Sequence, residues 1–147
     1  GREPLTETSP RGRAIMVALA IAICTIVAAP WVVTYAARRS IAENHVKTGL
    51  HFRGERRMVE AEMEFTRAIA LNPREYLTYF HRALVRRSLG DLTGGAADLA
   101  VTLSMSPDFG LAHDRLARVF AELGFIDLAG AHRRAALRLL PALGAGL

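Results

Sequence analysis

Proline and glycine recur along this chain at a fixed interval of 34 residues. Pro73, Pro107 and Pro141 keep that interval, and so do Gly90 and Gly124. Such a period indicates stacked helical units, because each unit needs its neighbour to bury its apolar face. Aligning the chain on this period gives two columns of small residues: Gly49, Ala83 and Ala117 in one, and Ala61, Gly95 and Ala129 in the other.

The repeated unit resembles the tetratricopeptide repeat. Its first copy contains GLHFRGERRMVEAEMEFTRAIALNP and its third contains LARVFAELGFIDLAGAHRRAALRLLP. The resemblance implies an all-α fold: three hairpins of antiparallel helices, stacked as an α-solenoid. Each proline closes a second helix because it cannot continue the hydrogen-bond ladder. We predict repeats at 42–75, 76–109 and 110–143, with helices at 42–55, 58–71, 76–89, 92–105, 110–123 and 126–139.

Several positions depart from the family pattern. Arg56 stands where the later repeats have a turn glycine, and Arg86 and Arg133 stand where an apolar residue is usual. Gly94 and Gly95 lie inside a predicted helix, where each glycine costs about 1 kcal/mol relative to alanine. We therefore expect the middle hairpin to be the softest part of the array. No polar capping helix is evident after the third repeat, so we expect a partner surface, a second copy or the membrane to cover it.

A long apolar segment precedes the repeats, since residues 14–37 contain no charge. At about 1.5 Å per residue it spans about 36 Å, enough to cross a hydrocarbon core of about 30 Å. We predict one transmembrane helix at 14–37, after a polar tail at 1–13 and before the repeat region at 38–143, with a C-terminal tail at 144–147. Its interfacial anchors are Trp31, Tyr35, Arg38 and Arg39.

A cleaved signal peptide is the competing interpretation of this segment. The apolar run is long for a signal peptide, and the small residues at Ala28 and Ala29 are followed by Pro30, which signal peptidase tolerates poorly. The basic residues on the two sides balance, so the positive-inside rule does not decide the orientation. We favour an uncleaved signal anchor in a bacterial inner membrane, with the repeats in the periplasm. The bacterial assignment comes from the arginine-rich, alanine-rich composition, in which Lys47 is the only lysine.

The sequence offers no pattern for catalysis, metal or cofactor binding. Its histidines are scattered without HxxxH or HExxH spacing, although His81 and His113 fall on neighbouring first helices. Glu60, Glu62 and Glu64 alternate along a helix, so they diverge and are expected to be solvated. GxSxG, Walker A and GxGxxG motifs are absent. Basic and acidic residues interleave, which does not favour nucleic-acid binding. We therefore expect a non-enzymatic protein without cofactor or small-molecule substrate.

The family resemblance implies a groove lined by the first helices, which binds an extended peptide or a helix. Its wall mixes apolar residues with arginine and suits an amphipathic or acidic segment. Family members that bind chaperone tails use a Lys/Asn/Arg carboxylate clamp. Only Arg115 matches that clamp here, so binding of such tails is not expected. The other clamp places hold Val46, Leu50, His81 and Leu111, and the predicted lining is Val46, Leu50, Arg53, Phe80, Leu84, Arg87, Leu111, Asp114, Arg115 and Arg118.

Two functions are compatible with these features. The first is an accessory structural subunit that stabilises a larger membrane complex of respiratory, photosynthetic or secretion type. The second is a freestanding adaptor or assembly factor that recruits clients to the membrane. In both cases the expected partners are other proteins and the lipid bilayer.

Overall fold

The computed structural model describes residues 10–141, and among them it has six helices and no strand, which confirms the predicted all-α class. From residue 58 onward, the predicted helix bounds agree with the observed ones to within one residue. Most of the tail predicted at 1–13, and all of the tail at 144–147, lie outside the described residues. The helices are α1 Pro10–Gly54, α2 Met58–Leu71, α3 Tyr76–Ser88, α4 Leu92–Met105, α5 Gly110–Glu122 and α6 Ile126–Leu139.

Helix α1 contains both the apolar segment and the first helix of the repeats. The chain divides into two compact units, Gly1–Ala37 and Arg38–Leu147, which are described separately. We predicted two helices here, at 14–37 and 42–55, but the residues between them are helical as well. That stretch has no glycine or proline, and Arg39 Nε donates to Glu43 Oε1 one turn later at 3.1 Å. Ion pairs at this spacing support a helix.

The first unit contains a helical segment that is long and apolar enough to cross a membrane. Its most apolar 18-residue window has a mean hydropathy of 2.5, and no residue of it is buried, unlike the core helix of a soluble domain. The hydroxyls of Thr25 and Thr34 donate to the helix carbonyls of Ala22 and Trp31, at 2.8 and 3.0 Å. The predicted anchors Trp31 and Tyr35 are exposed. Retained anchors and signal sequences share this length and composition.

The turns within the three hairpins have the same backbone form. Gly90 and Gly124 have positive φ angles of 87° and 85°, and Arg56 adopts 61° at the corresponding place. In each turn, the backbone N–H after the left-handed residue donates to the carbonyl five residues earlier, at 2.8 to 2.9 Å. Such a bond satisfies a carbonyl at the helix end. The first hairpin therefore forms the glycine-type turn with an arginine.

Small residues let the helices approach closely, as the repeat columns predict. A Cβ on Gly49 would lie 2.8 Å from the ring of Phe65, and a Cβ on Gly95 would lie 3.2 Å from the Ala83 carbonyl oxygen. Gly94 has a different role, because its N–H donates to the capping carboxylate of Asp91 at 2.9 Å. The two glycines of α4 thus serve the helix start and the packing against α3.

Two apolar clusters hold successive hairpins together. The first joins α1, α2 and α3 around the fully buried Phe65 and Val85. The second joins α3, α4 and α5 around Leu99, with Leu116 and Val119 of α5. Each cluster spans a boundary between repeats, so no hairpin completes its core alone.

A buried group of charges, which we call the ion cluster, links the first two hairpins. Asp98 is only 3% exposed, and its carboxylate accepts two bonds from Arg82, at 2.8 and 2.9 Å. Arg86 donates to the same carboxylate at 3.1 Å and to Glu62 of α2 at 2.8 Å. Arg82 also reaches the Thr66 hydroxyl of α2 at 3.2 Å. Arg86, which departs from the apolar family pattern, is thus accommodated by carboxylates from two helices.

Replacing Asp98 by asparagine should lower the free energy of unfolding by about 3 kcal/mol, because it leaves the largely buried Arg82 without its counter-charge and removes one of the carboxylates paired with Arg86. Urea unfolding followed by circular dichroism in mild detergent measures the change. The matched control is Glu43→Gln, which breaks the exposed pair with Arg39 and should cost less than about 0.5 kcal/mol. Equal effects of the two substitutions would contradict a stabilising role of the ion cluster.

Replacing Arg56 by glycine should stabilise the chain by about 0.5 to 1 kcal/mol, since glycine adopts positive φ without the Cβ penalty. The reciprocal change, Gly90→Ala, should destabilise it by about 1 kcal/mol although no atom lies within 4 Å of the added Cβ. Thermal unfolding of the two variants tests both signs. A destabilising Arg56→Gly would show that the arginine side chain contributes more than the turn strain costs.

Candidate protein-binding groove

The predicted groove residues lie on three first helices, namely residues 38–54 of α1, α3 and α5. Polar contacts connect neighbouring first helices. Arg53 Nη1 donates to His81 Nδ1 at 3.1 Å between α1 and α3, and Arg87 Nε donates to Glu122 at 3.0 Å between α3 and α5. The structure therefore brings the predicted lining residues onto adjacent helices of the array.

The apolar lining residues differ in how much surface they offer. Phe80 is only 7% exposed and belongs to the second apolar cluster, so it supports the groove from below. Val46, Leu50 and Leu84 are partly buried against the two clusters. Leu111 is 39% exposed and presents a free apolar side chain. Most of the predicted apolar lining therefore contributes to the core as well.

Two residues of this surface were not predicted. Leu77 is 38% exposed and lies one repeat before Leu111, so the two leucines occupy equivalent places on neighbouring helices. Because Leu111 was predicted as groove lining, the repeat spacing alone could have identified Leu77 as a groove residue. Glu122 pairs with Arg87. It follows Arg87 by one residue more than the repeat length, so the repeat pattern did not indicate this pairing.

His81 lies between aromatic rings beside Arg53. Its ring is 5.8 Å from that of Phe65 and 5.7 Å from that of Phe80. Burial and, second, the nearby charge of Arg53 lower the pKa of His81 to about 4. His81 is therefore neutral at pH 7, and its Nδ1 accepts from Arg53. No carboxylate is recorded against Arg53 among the described residues, so its positive charge remains available to a partner.

Helix α5 contributes a carboxylate and two arginines. Asp114 is 8% exposed and accepts from Arg118 Nε at 3.1 Å. Arg115 Nε lies 4.0 Å from the same carboxylate, which is too long for a hydrogen bond. Within residues 10–141, this buried Nε is a side-chain donor without a hydrogen-bond partner. The Nε itself is out of reach of an incoming group, but the Arg115 side chain as a whole is 35% exposed, so its guanidinium can meet an incoming oxygen.

Two of the histidines, His113 and His132, contact each other. His113 Nε2 donates to the Pro107 carbonyl at 3.0 Å, so His113 Nδ1 accepts from His132 Nδ1 at 2.9 Å. His113 therefore lies against His132. It does not lie against His81, although the two histidines are on neighbouring first helices. Burial, followed by the influence of His113, lowers the pKa of His132. Across the described part of the chain, no three His, Cys, Asp or Glu residues form a group that could hold a metal ion.

The glutamates of α2 diverge as expected, but they are not all solvated. Glu64 is 8% exposed, and it binds His45 Nδ1 and Arg67 Nη1, each at 2.6 Å. The expectation of a solvated Glu64 was wrong, because residues 38–54 of α1 cover this face of α2 and supply His45 as a partner. Glu60 remains near the surface, paired with Arg57.

Comparison with known proteins places the fold. No protein-family model matches the sequence. The chain is 40% identical over 72 residues to the tetratricopeptide repeat and J domain-containing co-chaperone DNJ1 of Fusarium oxysporum f. sp. lycopersici, and the match covers 49% of this chain but only 14% of that protein.

Solved structures match most of the chain. The Arabidopsis OM64 TPR domain superposes with a TM-score of 0.70 at 22% identity, covering 71% of this chain and 87% of that one. The first TPR of Spaghetti (RPAP3), bound to the HSP90 peptide SRMEEVD, gives 0.68 at 16% identity, covering 70% and 82%. MamA gives 0.66 at 24% identity, covering 71% and 61%. These similarities show that the chain has the tetratricopeptide-repeat fold, as the resemblance implied.

Stability should decrease on acidification because His81 titrates at a lower pH in the folded chain than in the unfolded one. Between pH 6.5 and about 4 the unfolded state binds the extra proton, so the stabilisation is complete above 6.5 and is lost as the pH falls. Allowing for partial exposure, we expect a loss on the order of 1 kcal/mol by pH 4.5. His81→Phe should reduce that loss in urea unfolding at pH 7.5 and 4.5. The exposed His51 provides the control, and His51→Gln should leave the loss unchanged.

Proposed function

We propose that this chain, whose fold is that of tetratricopeptide-repeat proteins, is a non-catalytic scaffold anchored in a membrane by residues 14–37. In this proposal it is an accessory structural subunit that stabilises a larger complex of a bacterial inner membrane, and its repeats lie in the periplasm. The groove on its first helices binds a segment of a neighbouring subunit.

The anchor is supported by the physical character of the first unit. Its 18-residue apolar window is unburied, so it has an apolar surface that water does not solvate well and lipid does. Its hydroxyls bond back to the helix, as membrane-spanning helices require of polar groups. Trp31 and Tyr35 at one end match the place of interfacial aromatics.

The single observation that carries the groove proposal is the part-exposed guanidinium of Arg115, which has no hydrogen-bond partner at Nε and comes no closer than 4.0 Å to Asp114 there. Leu111 lies one helical turn before it on α5, and Leu77 holds the equivalent place on α3. Arg53 adds a second positive charge across the groove. A segment that combines an apolar residue with a carboxylate would fill the space over the leucines and accept from Arg115.

This partner differs from the chaperone tail bound by one structural neighbour. The first TPR of Spaghetti was solved with the HSP90 peptide SRMEEVD. Judged by resemblance, the clamp places in this chain hold Val46, Leu50, His81 and Leu111, and only Arg115 fits. Because His81 is neutral and the other three are apolar, they provide no charge for a terminal carboxylate. We therefore propose an internal acidic segment as the partner.

A freestanding adaptor is the second candidate. It is favoured by the 40% identity over 72 residues to a co-chaperone. An adaptor would bind its client only transiently, whereas a structural subunit would stay bound through purification.

Purification of the full chain in mild detergent, followed by size exclusion, separates the two functions. We expect other subunits to co-elute at a constant ratio, whereas substoichiometric recovery would favour the adaptor. Elution as a lone monomer would contradict both. Arg115→Ala should weaken retention of the partner about tenfold, the loss of one charge-assisted bond. Arg74→Ala, at an exposed arginine in the loop before α3, is the matched control. Digestion of the repeats by protease in spheroplasts tests the periplasmic orientation.

A further inference from the structure

The last hairpin carries a second surface, which shares only Arg118 with the predicted groove. A shallow cleft of about 260 Å³ lies between α5 and α6, with alanines and a glycine at its floor and two arginines beside them. We call this cleft the terminal seat. Ile126, at its edge, is 68% exposed. The residues that define the seat are Ala117, Arg118, Ala121, Ile126, Ala129, Gly130 and Arg133.

The first two hairpins show what this kind of surface holds. One repeat before the seat, Ala83, Leu92 and Leu99 pack around Leu116 and Val119 of the following first helix, α5. The counterpart surface on the first hairpin, formed by Met58, Ala61 and Phe65, packs against Val85 of α3. In both places the occupant is a helix that inserts branched apolar residues. The shape of the terminal seat therefore fits a helix.

The chemistry of the seat differs from that of its counterparts at one position. Phe65 and Leu99 are 0% and 1% exposed, but the residue at their place in the third repeat is the exposed Arg133. Arg134 follows at the place of Thr66, whose hydroxyl accepts from Arg82 of the incoming helix. The first hairpin presents oxygen acceptors to the arginines of the helix that packs on it. The third hairpin presents arginines at the corresponding face.

The arginines of α6 have no carboxylate partner recorded within the described residues, although Arg118 of α5 pairs with Asp114. No ion pair is recorded there for Arg133, Arg134 or Arg138, whereas most arginines of α2 to α5 are paired with carboxylates. The only acid on α6 is Asp127, in its first turn. The occupant must therefore bring its own carboxylates.

We infer that the terminal seat binds an amphipathic helix of another protein, whose apolar stripe enters the cleft while its flanking carboxylates pair with Arg133 and Arg134. Helix α1 of a second copy, stacked in the register of the repeats, does not supply that chemistry. On α1 the places equivalent to Arg82 and Arg86 hold Thr48 and Phe52, neither of which is acidic. The partner is thus an acidic amphipathic helix, and its site adjoins the groove on the first helices only at Arg118.

The test uses two helical peptides with the sequence of α3, Tyr76–Ser88, each held helical by a staple on the face away from Val85. One has the natural sequence, and the other carries Arg82→Glu and Arg86→Glu. Fluorescence anisotropy with the full chain in detergent measures both affinities. The acidic peptide should bind about tenfold more tightly than the natural one, because its carboxylates meet α6 arginines instead of repelling them.

Variants of the full chain locate the binding site. Arg133→Glu combined with Arg134→Glu should reduce binding of the acidic peptide about tenfold and strengthen binding of the natural one. Both side chains are exposed, so folding should persist, and circular dichroism verifies it. Arg74→Glu, which makes half of that change in net charge away from α6, is the control and should change neither affinity by as much as twofold.

Three results would overturn the inference. The first is equal binding of the two peptides, and the second is absence of binding by either. The third is that Arg115→Glu abolishes binding of the acidic peptide while the α6 variant retains it. The last result would place the peptide in the groove and leave the proposed function intact. Loss of partner retention on Arg115→Ala with unchanged peptide binding at α6 would show that the two surfaces act separately.

Discussion

Close approach of helix backbones at small residues is the constraint on which every surface of the repeat array depends. The ring of Phe65 lies where a side chain on Gly49 would be. The carbonyl oxygen of Ala83 lies almost as close to the place that a side chain on Gly95 would take. With the helices at this distance, the large apolar residues reach across the boundary between repeats. The same spacing sets the first helices side by side, so that Arg53 meets His81 and the groove acquires a continuous wall.

The two boundaries between hairpins have different chemistry. The boundary between the first and second hairpins contains the ion cluster in addition to its apolar contacts, and Asp98 in that cluster is almost inaccessible to water. At the boundary between the second and third hairpins the core is apolar, and its ion pair, between Arg87 and Glu122, is half-exposed. Beyond it, the outer face of α6 is basic. Charge is therefore internal at one end of the array and presented outward at the other, where a partner can use it.

The sequence predicted the hairpins well because their limits are set by local chemistry. Gly90 and Gly124 end first helices through their backbone freedom, and proline ends the second helices, so the bounds after residue 57 agree to within one residue. Contacts between helices were harder to predict. Burial of Glu64 and the pairing of His113 with His132 depend on how one helix face meets another. The spacing of residues predicts which face of a helix a side chain occupies, but not which residue of another helix it meets. For the same reason Arg115 was predicted as groove lining, while its unpartnered Nε was visible only in the structure.

The unlike boundaries also give the array an uneven response to temperature. Apolar contacts weaken on cooling, because the heat capacity of hydration makes them strongest well above the freezing point. The cost of removing charges from water falls on heating, so a buried ion cluster weakens less when warm. On heating, apolar stabilisation levels off, so the third hairpin, held mainly by the Leu99 cluster, should loosen before the first two separate. A complex assembled through α6 would then be sensitive to heat at its outermost hairpin.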